Sequence, residues 1–261
     1  MKILLTNDDG IDAPGLEILK AIATELAGEN GEIWVVAPSN ERSGTSHCVS
    51  FGKTFEIEKI GPRRFQLEGY PADCVLAGLY RIIDQLPDLV LVGVNRGNNS
   101  GENTLYSGTI GAAMEGALQG VKSIALSQFM GQENKNLKNP FEATVAHGLT
   151  LVRQLYYNAP WDKKDYRLFF NVNFPPCRAS EVRGVKVVRQ GQRTDSKFSV
   201  CYLDSTSKGE ILFLQGGSQT SPSKEGTDIN SNLDNYISVT PMRADLTDHN
   251  LLDKIHLELV R

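Results

Sequence analysis

The stretch Lys2-Ile3-Leu4-Leu5-Thr6-Asn7-Asp8-Asp9-Gly10 is a short apolar run that stops at an amide and two adjacent carboxylates. A run of this length closed by a turn glycine reads as a buried strand, and the acids as the loop at its carboxyl end. Runs rich in Val, Ile and Leu with the same character recur at 32–38, 88–95 and 123–127. Between them the apolar spacing becomes helical at 16–27, 72–84 and 108–118, and Asp12-Ala13-Pro14 supplies a start for the first helix. This alternation predicts the α/β class: a three-layer, mostly parallel Rossmann-like sheet with helices on both faces.

Two segments depart from the alternation. Residues 46–71 alternate polar and apolar side chains around Gly61-Pro62, which predicts a β-hairpin inserted before the second helix. Beyond a helix at 141–157, strands are expected at 167–174, 185–189, 210–215 and 236–240. Residues 216–232, rich in Gly, Ser, Pro and Asn, read as a long surface loop or arm. The expected organisation is one domain over 1–261, with a catalytic core at 1–190 and a C-terminal β-rich extension or arm at 191–261 suited to oligomerisation.

Bulk properties narrow the function. The chain has 261 residues, 40% hydrophobic and 22% charged, with a net charge of −4. Its pI is near 5.7. Such a surface argues against binding nucleic-acid polymers, which calls for a basic patch. Neither a membrane-length apolar run nor a signal-peptide pattern is present, so no membrane association is expected. Cys48, Cys74, Cys177 and Cys201 are scattered without C-x-x-C spacing and read as reduced thiols of a cytoplasmic protein.

Two neighbouring carboxylates repel and raise each other's pKa unless a positive charge intervenes, and a divalent cation is the simplest one. In an open α/β sheet, ligands bind beyond the carboxyl ends of the strands. Three loops meet that rule: 7–10, Ser39-Asn40-Glu41-Arg42-Ser43-Gly44-Thr45-Ser46, and Asn95-Arg96-Gly97-Asn98-Asn99-Ser100-Gly101. All are dense in oxygen ligands, amides and glycines. The stretch Tyr106-Ser107-Gly108-Thr109 then opens a helix of small residues. Free N–H groups and the helix dipole favour an anion there, with the Ser107 and Thr109 hydroxyls as supplements.

Other phosphate chemistries are excluded. The chain has no G-x-x-x-x-G-K-[ST] and no G-x-G-x-x-G after the first strand. The Asp-x-Asp of haloacid-dehalogenase-type enzymes is absent, since Gly10 stands two residues after Asp8. A receiver domain would need its acceptor aspartate where Asn95 stands. His47, His147, His249 and His256 lack the spacing of a ligand set.

Asn7-Asp8-Asp9-Gly10, Ala37-Pro38 leading to Arg42-Ser43-Gly44, Gly93-Val94-Asn95-Arg96-Gly97 with Asn99 and Gly101, and Tyr106-Ser107-Gly108-Thr109 resemble the SurE family. Asn171-Val172-Asn173-Phe174-Pro175, Gly226-Thr227-Asp228 and Tyr236 to Pro241 extend the resemblance. Val121-Lys122 and Asn235 depart from it outside the metal set. The resemblance implies a divalent-metal-dependent phosphomonoesterase hydrolysing nucleoside 5′- and 3′-monophosphates through a metal-activated water. It implies one cation per subunit, Mg²⁺ or Mn²⁺, on Asp8, Asp9, Ser43 and Asn95, with Asp8 or Asp9 as catalytic base. Ser39 lies where the family often carries Asp. Asn99, Ser107, Gly108 and Thr109 correspond to the phosphate-contacting residues, and a homodimer or homotetramer with exchanged arms is implied. The competing readings are a phosphatase for polyphosphate or other monoesters, and a non-catalytic nucleotide sensor.

Overall fold

The computed structural model describes residues 1–161, 166–194, 196–252 and 255, so His256 lies outside the described residues. The amino-terminal half runs β1 (Lys2–Thr6), α1 (Pro14–Ala27), β2 (Glu32–Pro38), β3 (Ile57–Gly61), β4 (Arg64–Leu67), α2 (Pro71–Ala77), β5 (Leu89–Arg96), α3 (Gly108–Leu118) and β6 (Ser123–Gln128). The remainder adds α4 (Glu142–Asn158), β7 (Phe169–Phe174), β8 (Val185–Val187), β9 (Ser199–Thr206), β10 (Gly209–Gln215), α5 (Asp228–Leu233) and β11 (Ile237–Met242).

Nine of these strands form one sheet in the order β3-β4-β2-β1-β5-β6-β7-β11-β8. The pairs β4-β2, β2-β1, β1-β5, β5-β6, β6-β7 and β11-β8 are parallel, while β3-β4 and β11-β7 are antiparallel. Alternating side chains feed two cores, as a strand covered on both faces requires. Ile3 and Leu5 pack with α1 and α4 residues such as Leu16, Leu19 and Leu151, while Leu4 packs with Val75, Ile110 and Ala113 from α2 and α3 on the other face. In α1 the buried residues Leu16, Leu19, Ile22, Ala23 and Leu26 recur at helical spacing. The expected three-layer α/β architecture is what forms.

The hairpin expected within 46–71 is β3-β4, and its second strand extends the main sheet by pairing with β2. Three details differ from the sequence reading. The second helix is α-helical only to Ala77 and continues as a π-turn over Gly78–Ile82. Strand β9 was not anticipated; it pairs with β10 in a separate hairpin whose residues are all exposed. Residues 216–232 are not all surface loop, because α5 starts within them and buries Asp228, Ile229, Ser231 and Asn232. That helix is too short to show an apolar period, and it is polar because its buried side chains serve as hydrogen-bond partners.

Beyond 190, therefore, the chain both projects the β9-β10 hairpin and returns to the sheet as β11 between β7 and β8. No described helix is long and apolar enough to cross a membrane.

Candidate active site

Strand register decides which loops face one another. Leu5 pairs with Val35, so the loops that follow β1 and β2, carrying Asp8, Asp9 and Ser39, leave the same edge of the sheet. Thr6 pairs with Val92, and past an irregularity between Val92 and Asn95, β5 brings Asn95 to the same edge of the sheet. Beyond the strand ends the ladder register is not kept, but the loops stay bonded to one another: Ile11 N–H donates to Pro38 O at 2.8 Å, and Arg42 N–H to Asp8 O at 2.7 Å. Arg96 N–H donates to Asp9 Oδ2 at 3.0 Å. The three loops expected to form a crevice do converge.

Asp8 is almost completely buried, at 3% exposure. Thr109 holds it from the start of α3: the Thr109 hydroxyl donates to Oδ1 at 2.5 Å and its N–H to Oδ2 at 3.3 Å. Gly108 permits this approach, because a β-carbon there would lie 3.1 Å from Asp8 Cβ and 3.1 Å from Thr45 Oγ1. Gly10 turns the loop with a φ of 103°, against the backbone of Asn40 and Glu41.

Burial pushes the Asp8 carboxyl up to about 7, with the Asp9 charge adding to it and the Thr109 hydrogen bonds opposing. Burial also raises Asp9 above the usual carboxylate range, reinforced by Glu41 and opposed by the Arg96 N–H and charge. Among the described residues no basic side chain forms an ion pair with either aspartate. Asn7 Oδ1, buried beside them, has no hydrogen-bond partner among the described residues. Two clustered carboxylates and an orphaned amide oxygen suit a hard divalent cation. Among the described residues no trio of His, Cys, Asp or Glu is assembled, so a cation here would have two charged ligands. That donor set suits a hydrated Mg²⁺-type ion completed by water and substrate oxygens.

Of the remaining expected residues, Asn95 is half-buried and its Nδ2 donates to Gly97 O at 3.0 Å, leaving Oδ1 for a ligand. Ser43 is exposed, and its hydroxyl donates to Glu41 Oε1 at 2.8 Å. Ser39 caps the end of β2, with its N–H on Leu67 O at 2.9 Å and its Oγ accepting from Asn40 Nδ2 at 3.2 Å.

Ser107 caps α3 by accepting the Ile110 N–H at 3.1 Å, which leaves its own proton and the Gly108 N–H without acceptors among the described residues. The donors of Thr109 are both directed at Asp8. The Asn99 side chain turns inward, donating to Ser127 Oγ at 2.8 Å, while its N–H meets Asn173 Oδ1 at 2.7 Å. Thr45 and Glu41 were not singled out by the sequence reading, although both lie in a loop it placed at the crevice.

The 39–47 loop is fastened to α3. Ser46 N–H and Oγ–H donate to Tyr106 O and Leu105 O at 2.9 and 2.8 Å. His47 Nε2 lies 2.6 Å from the Glu115 carboxylate.

Comparison with known proteins gives this geometry a context. Residues 3–197 match the family model described as survival protein SurE. A protein of Cereibacter sphaeroides named 5′-nucleotidase SurE is 56% identical over 256 residues, covering 98% of each chain. One from Ruegeria pomeroyi with the same name is 53% identical over 260 residues, covering 99% of this chain and all of the relative. The crystal structure of the SurE protein from Aquifex aeolicus superposes with a TM-score of 0.80 at 35% identity, over 99% of both chains.

Proposed function

The chain belongs to the SurE family, and from that premise we propose that it hydrolyses nucleoside 5′- and 3′-monophosphates to nucleoside and phosphate. The observation that carries the chemistry is the pair of buried Asp8 and half-buried Asp9, at the sheet edge where β5 ends in Asn95, with Asp8 held by the first turn of α3. Asp8, Asp9 and Asn95 would hold a divalent cation, Mg²⁺ or Mn²⁺, together with a loop serine. The resemblance assigns Ser43 to that place, but Ser39 directly follows β2, while the Ser43 hydroxyl is engaged by Glu41, which favours Ser39. When bound, such a cation supplies a polarised phosphoryl oxygen and an acidified water.

The chain's own groups do the rest. The Ser107 hydroxyl and Gly108 N–H, free at the positive end of α3, orient the phosphate and take up its developing charge. Thr109 fixes the position of Asp8 through both its donors. Asp9 keeps one carboxylate oxygen without a partner among the described residues, and so is the better placed of the two to accept the proton of the attacking water.

The exposed β9-β10 hairpin supports a homodimer or homotetramer. Val200, Tyr202, Leu203, Leu212, Phe213 and Leu214 are all more than half exposed on it, an apolar load that a second copy would cover. The four cysteines are free, which fits a reducing cytoplasm.

The test is release of inorganic phosphate from AMP, ribose 5-phosphate and polyphosphate, with Mg²⁺ or Mn²⁺ and with chelator. Hydrolysis of AMP that chelator abolishes is the expected result. Turnover of polyphosphate alone, or chelator-resistant turnover, would overturn the reading.

A further inference from the structure

Tyr106 stands immediately before the Ser107 cap, and its ring is 48% exposed. The only ring it meets among the described residues is that of Phe198, at 5.3 Å between centroids and 70° between planes. Phe198 lies just before β9 and is itself 51% exposed. A contact that merely fastened the hairpin root would bury both rings, and this one buries neither. The backbone beneath Tyr106 is firmly held: its carbonyl accepts the Ser46 N–H at 2.9 Å, and its N–H donates to Asn103 O at 3.1 Å. The Tyr106 hydroxyl has no partner among the described residues, so the ring is a rigidly based, amphipathic surface open to solvent.

We infer that the Tyr106–Phe198 ring pair is the platform on which the substrate's nucleobase stacks. This rests on the proposed nucleotidase reading, which puts the phosphate at Ser107 and Gly108. A nucleoside monophosphate carries its base one ribose away from its phosphate. Tyr106 carries its ring one residue away from the cap, about 3.8 Å along the backbone plus the length of its side chain. An edge-to-face pair blocks at most one face of each ring, and the free faces accept a base by stacking. Ring faces read area rather than hydrogen-bond pattern. The platform therefore accepts all bases and favours purines over pyrimidines modestly.

The experiment compares kcat/KM for AMP and for ribose 5-phosphate, which shares the phosphate and sugar but lacks the base, in the wild-type chain and in Tyr106→Ala, Tyr106→Phe and Phe198→Ala. The AMP to ribose 5-phosphate ratio should fall roughly tenfold in Tyr106→Ala, the size of one lost base–aromatic stack. The loss should appear mainly in KM, and Tyr106→Phe should restore most of it. Phe198→Ala, which leaves the α3 turn untouched, should lower the ratio by a smaller factor. An unchanged ratio in both alanine variants, or equal losses on both substrates, would overturn the platform while leaving the nucleotidase reading intact. Wild-type turnover of ribose 5-phosphate without turnover of AMP would overturn both.

Discussion

Replacing Asp8 by Asn should make the metal-free protein more stable and abolish its activity. Asp8 is lifted from the usual 3.8 to about 7, chiefly by burial. A carboxyl with a raised folded-state pKa binds its proton more tightly in the folded chain than in the unfolded one. Stability is therefore fully retained below about pH 4, declines as pH rises, and levels off above about 7. Three pK units at about 1.36 kcal/mol each amount to ~4 kcal/mol lost by pH 8. Asparagine carries no charge and keeps an acceptor for the Thr109 hydroxyl, but turns an NH₂ group toward the Thr109 N–H, 3.3 Å from the present Oδ2. That mismatch takes back about 1–2 kcal/mol.

The net gain at pH 8 is then about 2–3 kcal/mol, or roughly 4–10 °C in melting temperature for a chain of this size. Melting curves in chelator at pH 4 and pH 8 measure it. By the mismatch alone the variant should melt somewhat below the wild type at pH 4, and it should melt above it at pH 8. Saturating Mg²⁺ should stabilise the wild type and leave the variant unmoved, since only the former gains binding free energy. A variant that melts with or below the wild type at pH 8, with the same pH dependence, would refute the assignment of Asp8 as a strained buried carboxylate.

The serine question separates cleanly. Ser39→Ala should weaken Mg²⁺ or Mn²⁺ binding by about tenfold, while Ser43→Ala, whose hydroxyl serves Glu41, should change it less than twofold; calorimetric titration with the metal alone decides, and the reverse order would restore Ser43. Gly15→Ala places a β-carbon 1.9 Å from Val94 O, where α1 crosses β5, so the variant should lose at least about 3 kcal/mol by urea denaturation or fail to accumulate as soluble protein. A double change on the hairpin, Leu212→Glu with Leu214→Glu, should shift the sedimentation coefficient to that of a smaller species while the fold's circular dichroism persists.

The fold was legible because its strands are fully covered: Leu4, Leu5, Val90, Leu91, Ile124 and Ala125 are all 0% exposed, and continuous apolar runs are their signature. The crevice was legible for the same reason, since polar residues packed at the ends of such strands need a purpose. Elements shaped by polar burial were not legible. Asp228 is buried because it accepts the N–H groups of Gly101, Gly191 and Ile229 at 2.9, 2.7 and 2.8 Å, the first across 127 residues of chain, and such contacts leave no periodic trace. Strand β9 was missed because the hairpin exposes both faces, so apolar and polar residues need not alternate. Nor could spacing choose among the crevice residues' roles. Thr109 reads equally as a phosphate donor or a cap, and only the geometry sends both its donors to Asp8.

That last contact joins the two halves of the site. Asp8 occupies the Thr109 N–H, so one of the few free donors at the α3 terminus is already spent on a carboxylate. A phosphate arriving at the proposed Ser107 and Gly108 site would meet the same helix end and the same negative charge, because Gly108 brings the backbone to within contact of Asp8. Without a counter-charge the two anions repel across a desolvated gap, where Coulomb terms are several times larger than in water. The residues that would hold a cation are thus the ones that penalise phosphate most when it is missing. On the proposed reading, a cation that neutralised Asp8 and Asp9 would relieve the raised carboxyl and admit the substrate in one event. Metal and phosphate affinity would then be coupled through Asp8, with the stability surrendered to bury that carboxylate as the source of the coupling.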